Sequence, residues 1–167
     1  MRRFLFVMFA VGCFSFSSER AYACFCVTPE VPEAFKQANA VFLGEVVDIV
    51  EPKIGGTSKI QDRLFTIKFK VEKFWKGMSP RTREFSVLSA QGGFRCFAFP
   101  PMIKGQRYLV YANPAYGAEH WSVVTSCSRT TVFRFALDPR LMNPDAIDPF
   151  ADMRMLDAIK GRAFYFW

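Results

Sequence analysis

Apolar and polar residues alternate most clearly between residues 64 and 71. Successive side chains of a β-strand point to opposite faces, so this alternation predicts a strand with one face in the core and its lysines in water. Gly77 and Pro80 end the segment. The predicted core face is Phe65, Ile67, Phe69 and Val71, and the predicted outer face is Thr66, Lys68 and Lys70.

Four further segments are rich in apolar residues and are separated by Gly, Pro or Asn, as strands are in a small β-protein. They cover residues 40–50, 84–88, 108–112 and 121–125. A short helix is predicted over 33–38, directly after Pro32, because proline favours the first turn of a helix. Five strands and a short helix predict a mainly β fold built on a small closed barrel.

The tail changes character at Asp138, and a second helix is predicted there over 149–160. A proline stands at its first position, apolar residues recur at three-residue spacing, and Gly161 follows its end. The apolar positions are Phe150, Met153, Leu156 and Ile159. The acidic residues, which we expect to form a solvent-exposed face and not a site, are Asp148, Asp152 and Asp157.

Residues 1–23 have the three parts of a cleavable signal peptide. A positively charged start (1–3), an apolar stretch (4–16) and an A-x-A pattern (21–23) precede Cys24. The apolar stretch is shorter than the about 20 residues that a transmembrane helix needs. We therefore expect an exported protein, secreted or periplasmic, with Cys24 as its first residue and no transmembrane segment. Lipoprotein processing would also leave an N-terminal cysteine, but Tyr22 fits its cleavage pattern poorly.

Four cysteines remain after signal cleavage, because Cys13 lies within the signal peptide; they are Cys24, Cys26, Cys96 and Cys127. An even number of cysteines in an exported protein predicts two disulfides, with three possible pairings. Cys24 and Cys26 are too close to bridge each other without strain, so we expect each to pair with a distant cysteine. Thiolate binding of a soft metal is the alternative, and an oxidising compartment favours the disulfides.

The chain is basic, with 22 Lys and Arg against 15 Asp and Glu and a formal net charge of +7. The signal peptide contains Arg2, Arg3, Arg20 and Glu19, so 19 basic and 14 acidic residues remain, a net charge of +5. Such a surplus would attract acidic glycans, although a solvated surface is the more common explanation. The candidate basic patch is Lys73, Lys76, Arg81 and Arg83.

The sequence contains no metalloprotease, hydrolase or phosphate-binding motif, and we expect its one histidine, His120, to lie on the surface at a strand end. Its aromatic residues could stack on nucleic acid or sugars, but the alternation favours filling of the core. They include Phe94, Phe97, Phe99, Tyr108, Tyr111 and Trp121. We therefore expect no enzymatic activity, no cofactor and no nucleic-acid partner.

Six short motifs follow one another between residues 24 and 135. They are Cys24-Phe25-Cys26, Ala34-Phe35, Ala40-Val41-Phe42-Leu43-Gly44-Glu45-Val46, Phe74-Trp75-Lys76-Gly77, Gly105-Gln106-Arg107-Tyr108-Leu109-Val110-Tyr111-Ala112 and Cys127-Ser128-Arg129-Thr130. In their order, and in the layout of two early and two late cysteines, they resemble the inhibitory domain of the tissue inhibitors of metalloproteinases and the wider netrin-like module.

The resemblance implies a five-stranded OB-fold barrel with short flanking helices, in which Cys24 pairs with Cys96 and Cys26 with Cys127. In those inhibitors the α-amine and carbonyl oxygen of the first cysteine chelate the catalytic zinc of the protease, and the second side chain enters the main specificity pocket. These roles would fall to Cys24 and Phe25. The remaining residues of the implied protease-binding surface are Cys26, Val27, Phe94 and Arg95.

The chain differs from these inhibitors at three points. Lys36 stands where they have a further cysteine, the extension 136–167 replaces their cysteine-rich second domain, and Phe25 is larger than their usual second residue. We therefore expect a signal peptide (1–23), a netrin-like domain (24–135) and this extension. The expected function is inhibition of zinc metalloproteases through Cys24. The alternative is a non-inhibitory netrin-like module that binds glycans or a protein partner.

Overall fold

The computed structural model describes residues 27–52, 64–90, 99–115, 118–133, 147–160 and 164–165. In chain order their elements are α1 (Val31–Gln37), β1 (Ala40–Val50), β2 (Phe65–Lys76), β3 (Glu84–Ser89), β4 (Arg107–Ala115), β5 (Ala118–Val124), β6 (Thr131–Val132), α2 (Pro149–Lys160) and β7 (Phe164–Tyr165). The mainly β fold predicted from the sequence is confirmed. The five predicted strands and both predicted helices are present, with ends shifted by a few residues in several of them.

Five of the strands form a closed barrel. Their order is β1–β2–β3–β5–β4, and β4 pairs back with β1. Neighbouring strands are antiparallel except β3 and β5, which run parallel where Leu88 meets Val123 and Ser89 meets Val124. The two-residue strands β6 and β7 extend the sheet by pairing with β4 and β2.

The alternation that predicts β2 is confirmed, because Ile67, Phe69 and Val71 are buried while Lys68 and Lys70 are exposed. The strand continues to Lys76, beyond the end of the regular alternation. A shift in its register against β1 leaves Glu72 as an extra residue. Such a β-bulge reverses the faces of the residues that follow it, which explains why the sequence pattern stops at this point.

After the bulge, each residue from Phe74 to Gly77 has a different environment. Phe74 packs inside the barrel, and Trp75 packs outside it and donates a hydrogen bond of 2.7 Å to Asp157 Oδ1. Lys76 Nζ donates to the carbonyl oxygens of two residues in the last turn of α1. Gly77 has a φ of 76°, and a Cβ there would lie 2.0 Å from the carbonyl oxygen of Asn39. The turn at the end of β2 therefore requires glycine.

Apolar side chains form two clusters, one inside the barrel and one outside it. Inside, edge-to-face aromatic contacts join Phe42 to Phe69 and Phe69 to Tyr108, at ring-centroid distances of 5.3 and 6.2 Å. The outer cluster lies between the barrel and the two helices and contains Val31, Ala34, Ala38, Val41, Leu43, Trp75, Leu109, Tyr111 and Leu156. The start of β1 is consequently buried on both faces.

Three of the aromatic residues assigned to the core from the sequence are buried, namely Phe99, Tyr108 and Tyr111. Trp121 is half-buried, and Phe94 and Phe97 lie outside the described residues. His120 is exposed, as expected, but it lies within β5 and not at its end. None of the helices in the described part of the chain has the length and hydrophobicity needed to cross a membrane.

The expectation that the acidic residues of the tail form a solvent-exposed face is wrong. Asp152 is 1% exposed, because it lies one turn before the buried Leu156 on the face of α2 that packs against the barrel. Asp157 binds Lys73 and Trp75. Asp148 accepts a hydrogen bond of 2.9 Å from the backbone N–H of Phe150 and so caps the start of the helix.

The candidate basic patch is also not formed. Lys73 is 3% exposed, forms an ion pair of 2.9 Å with Asp157, and lies over the ring of Trp75. Lys76 is held by the end of α1, and only Arg81 and Arg83 are exposed, in the turn before β3. The reason is that the outer face of β2, which the alternation assigns to water, is covered at this end by α2.

Truncating Leu156 tests how much the outer cluster contributes to the fold. Leu156→Ala should lower the free energy of unfolding by about 2 to 5 kcal/mol, because it leaves a cavity where the helices meet the barrel. Met155→Ala, on the exposed face of the same helix, should change it by no more than about 0.5 kcal/mol. Urea unfolding of both variants measures the difference, and equal effects would contradict the burial of this face.

Candidate functional site

Most residues of the predicted protease-binding surface lie outside the described residues; these are Cys24, Phe25, Cys26, Phe94 and Arg95, and with them Cys96. The described part of the chain begins at Val27, whose side chain is 72% exposed. Val27 is therefore the residue of the predicted surface whose environment is described. We define Val27–Glu30 as the N-terminal segment. The contacts of its other residues show how the segment is held.

The N-terminal segment is held at its C-terminal end. The Nη1 of Arg129 donates a hydrogen bond of 2.8 Å to the carbonyl oxygen of Pro29. Glu30 is extended and directly precedes α1, whose first residue, Val31, is 1% exposed and packs in the outer cluster. The segment is thus fixed at Pro29 and Val31, while Val27 projects into solvent.

Arg129 is itself held by the buried carboxylate of Asp152 in α2. Its Nε lies 2.6 Å from Oδ2 and its Nη2 lies 2.8 Å from Oδ1. This bidentate pairing fixes the guanidinium plane. The hydroxyl of Tyr111 donates a third hydrogen bond to Asp152 Oδ2, at 3.1 Å. Two strong donors and a hydroxyl compensate for removing this carboxylate from water.

The electrostatics of this cluster follow from its burial and from the charge of Asp152. The hydrogen bond to Asp152 raises the pKa of Arg129, against the opposing effect of burial. Burial, followed by the nearby Asp152 carboxylate, raises the pKa of the Tyr111 hydroxyl. Arg129 therefore stays charged and Tyr111 stays a hydrogen-bond donor throughout the pH range in which proteins fold.

The loop from Thr125 to Thr130 is fixed to the same part of the barrel. Ser128 Oγ donates to the Thr125 carbonyl oxygen at 2.8 Å, and the backbone N–H of Tyr111 donates to Thr130 Oγ1 at 2.9 Å. Cys127 lies in this loop. The other cysteines lie outside the described residues, so the pairing of Cys26 with Cys127 stays a prediction.

A cleft of about 430 Å³ adjoins the N-terminal segment. Its lining comes from Thr28, from the segment that leads into β4, from the loop that contains Cys127, from β6 and from Ile147. The lining side chains, all of them uncharged, are Thr28, Phe99, Pro100, Pro101, Ile103, Gln106, Tyr108, Ser126, Ser128, Thr130, Thr131, Val132 and Ile147. Such a surface suits apolar or hydroxyl-bearing groups better than ions.

Sequence reasoning missed the residues that hold the N-terminal segment. Arg129 belongs to a motif that carries the resemblance, but the motif does not predict a contact with Pro29. Asp152 leaves a clearer signal, since it is four residues before Leu156 and therefore lies on the apolar face of the predicted helix. A buried carboxylate requires a cation, and Arg129 supplies it.

Removing the guanidinium tests the energetic role of this ion pair. Arg129→Met keeps much of the side-chain volume but leaves Asp152 buried without its cation, so stability should fall by about 3 to 5 kcal/mol. Arg154→Met, which removes an exposed arginine from α2, should change it by no more than about 0.5 kcal/mol. Urea unfolding measures both, and an Arg129→Met variant as stable as Arg154→Met would contradict the role assigned to the pair.

Comparison with models of known protein families and with curated protein sequences finds no match to this chain. We therefore base the functional proposal on two things. One is the set of motifs that resemble the tissue inhibitors of metalloproteinases. The other is the geometry that surrounds the N-terminal segment, in which a fixed backbone at Pro29 is followed outward by the exposed Val27.

Proposed function

We propose that this protein is an exported inhibitor of zinc metalloproteases and that it binds the protease zinc through Cys24 once the signal peptide is removed. The observation that supports this most directly is the geometry of the N-terminal segment. Arg129 holds Pro29 on the barrel, and Val27, three residues after Cys24, is 72% exposed. A segment that is fixed at Pro29 and exposed at Val27 is suited to contact with another protein.

The topology supports the OB-fold part of the proposal. A five-stranded barrel in the order β1–β2–β3–β5–β4, closed by β4 on β1, is compatible with the Greek-key barrel of OB-folds. β3 and β5 pair in parallel, whereas the other neighbouring strands of this barrel pair antiparallel. We propose this fold type for the protein, with α1 and α2 as flanking helices.

The chemistry of inhibition needs only backbone atoms of the first residue. A catalytic zinc keeps one coordination position open for water, and the α-amine and carbonyl oxygen of Cys24 together form a two-atom donor that can replace this water. The side chain of Phe25 would then occupy the specificity pocket, with Val27, Phe94 and Arg95 along the rim. Holding the segment in place before binding lowers the entropic cost of association.

Engagement of two of the four residues of the candidate basic patch makes the glycan-binding alternative less favourable. Lys73 is buried against Asp157, and Lys76 binds the end of α1, so neither is available to a sulfate or carboxylate group. If no inhibition is measured, the alternative is a non-inhibitory module that binds another protein through the N-terminal segment.

Extending the N-terminus by one residue tests zinc chelation. A protein with one alanine added before Cys24 should not inhibit any zinc protease that the native mature protein inhibits, because the α-amine no longer stands beside the Cys24 carbonyl. The matched control adds one alanine after Trp167 and should inhibit like the native protein. Inhibition constants against a panel of purified zinc proteases provide the measurement.

Two results would contradict the proposal. If the extended protein inhibits as strongly as the native one, the first residue does not bind the zinc. If the native protein, shown by mass spectrometry to begin at Cys24, inhibits no member of the panel while folding normally, the non-inhibitory binding module becomes the better assignment.

Truncating the second residue tests the specificity pocket. Phe25→Gly should weaken binding to proteases with deep pockets by roughly 2 to 3 kcal/mol, through the loss of buried apolar surface. Ile159→Ala, which shortens an exposed apolar side chain of α2, should leave affinity unchanged. Inhibition constants for the two variants decide, and equal affinities would show that Phe25 does not enter the pocket.

A further inference from the structure

We propose that Arg129 and Asp152 are positioning residues for the N-terminal segment. Through them, helix α2 sets how tightly this end of the chain binds a protease, without itself touching the protease. This inference rests on the proposed function and extends it, because it assigns a role to the C-terminal extension. Neither residue needs to contact zinc or substrate. Their role is to determine where the chain leaves the barrel on its way to Cys24.

The first step is that a single side chain bridges the two ends of the described chain. Arg129 uses Nη1 for the carbonyl oxygen of Pro29, and Nε and Nη2 for Asp152. The planar fork of arginine holds these donors in a fixed relative geometry, which the single ammonium of lysine does not provide. The position of α2 is therefore transmitted to the backbone five residues after Cys24.

The second step is that α2 is itself firmly placed on the barrel. Leu156 is 0% exposed within the outer cluster, and the same cluster contains Val31 and Ala34 of α1. The Tyr111 hydroxyl holds Asp152 from β4. The N-terminal segment thus runs from the Arg129 contact directly into a helix that packs under α2, and both of its anchors depend on α2.

The third step concerns what the ion pair contributes. A buried ion pair of this kind contributes little stability relative to well-packed apolar residues, because desolvation offsets most of the attraction. Its directional hydrogen bonds, in contrast, define one orientation of the Arg129 side chain and hence one position for Pro29. Tight inhibition requires such a fixed position, because ordering a flexible segment on binding costs free energy and therefore lowers the affinity.

The test compares two variants of the full mature protein that each neutralise one acidic residue of α2. Asp152→Asn removes the charge and one of the two oxygens that hold Arg129, whereas Asp157→Asn alters only the contacts with Lys73 and Trp75. The main measurement is the ¹⁵N order parameter of the Thr28 and Glu30 amides, with amides of β2 as an internal standard. The second measurement is the inhibition constant against a sensitive zinc protease.

In the native protein the order parameters of Thr28 and Glu30 should be about 0.85, and in Asp152→Asn they should fall below about 0.6, with β2 unchanged. Affinity should fall roughly 10- to 100-fold, as expected for re-ordering one or two backbone residues on binding. Asp157→Asn should leave both quantities at native values. If Asp152→Asn does not fold, Arg129→Lys, which keeps the charge but not the fork, should give the same two changes.

Unchanged order parameters in Asp152→Asn, or in its substitute Arg129→Lys, would overturn the inference, as would an equal fall in Asp157→Asn. The order parameters require no protease, so they separate the two proposals. A selective fall in a protein that inhibits no protease would support positioning by α2 and contradict only the inhibitory function.

Discussion

The buried ion pair between Arg129 and Asp152 joins three parts of the chain that are far apart in the sequence. Arg129 follows the loop that contains Cys127, Asp152 lies in the C-terminal helix, and the same guanidinium binds the carbonyl oxygen of Pro29. Because Asp152 is 1% exposed, its charge requires nearby donors, and three are present. Loss of any one partner would leave a charge or a polar group buried without compensation. The N-terminal segment, the loop and the helix therefore have mutually dependent positions.

Around this ion pair, the start of strand β1 is apolar on both of its faces. Phe42 and Val46 of β1 point into the barrel, while Val41 and Leu43 point outward beneath the two helices. A strand with two apolar faces requires a cover on its outer side, and α1 and α2 provide it. The C-terminal helix thus belongs structurally to the barrel, since Leu156, Asp152 and Asp157 all contact it directly or through Arg129.

This arrangement gives the scaffold a clear part in the proposed inhibition. Chelation of a protease zinc by Cys24 would use backbone atoms, so the side chains of the barrel would matter by fixing the position of the terminus and not by reacting. The cleft beside Thr28 and the exposed Val27 lie on the same side of the molecule as the anchored segment. A partner that binds this segment would therefore meet the apolar and hydroxyl-bearing side chains of the cleft beside Thr28. An uncharged surface of this kind places few electrostatic restrictions on its partner.

The sequence by itself determined the five strands, both helices and the burial of Phe99, Tyr108 and Tyr111, because alternation, helical spacing and turn residues are properties of neighbouring positions. Only the tertiary structure decided the state of the charged residues. Lys73 and Asp157 are 84 positions apart, and Arg129 and Pro29 are 100 apart. The bulge at Glu72 is also visible only in the tertiary structure. It exchanges the faces of β2 and brings Lys73 and Trp75 beneath α2. For the candidate site, sequence motifs indicated Cys24 and Phe25, and only the fold revealed Arg129 as the contact that holds the segment leading to them. A charge can be buried only where folding brings its partner, and no local pattern records that partner.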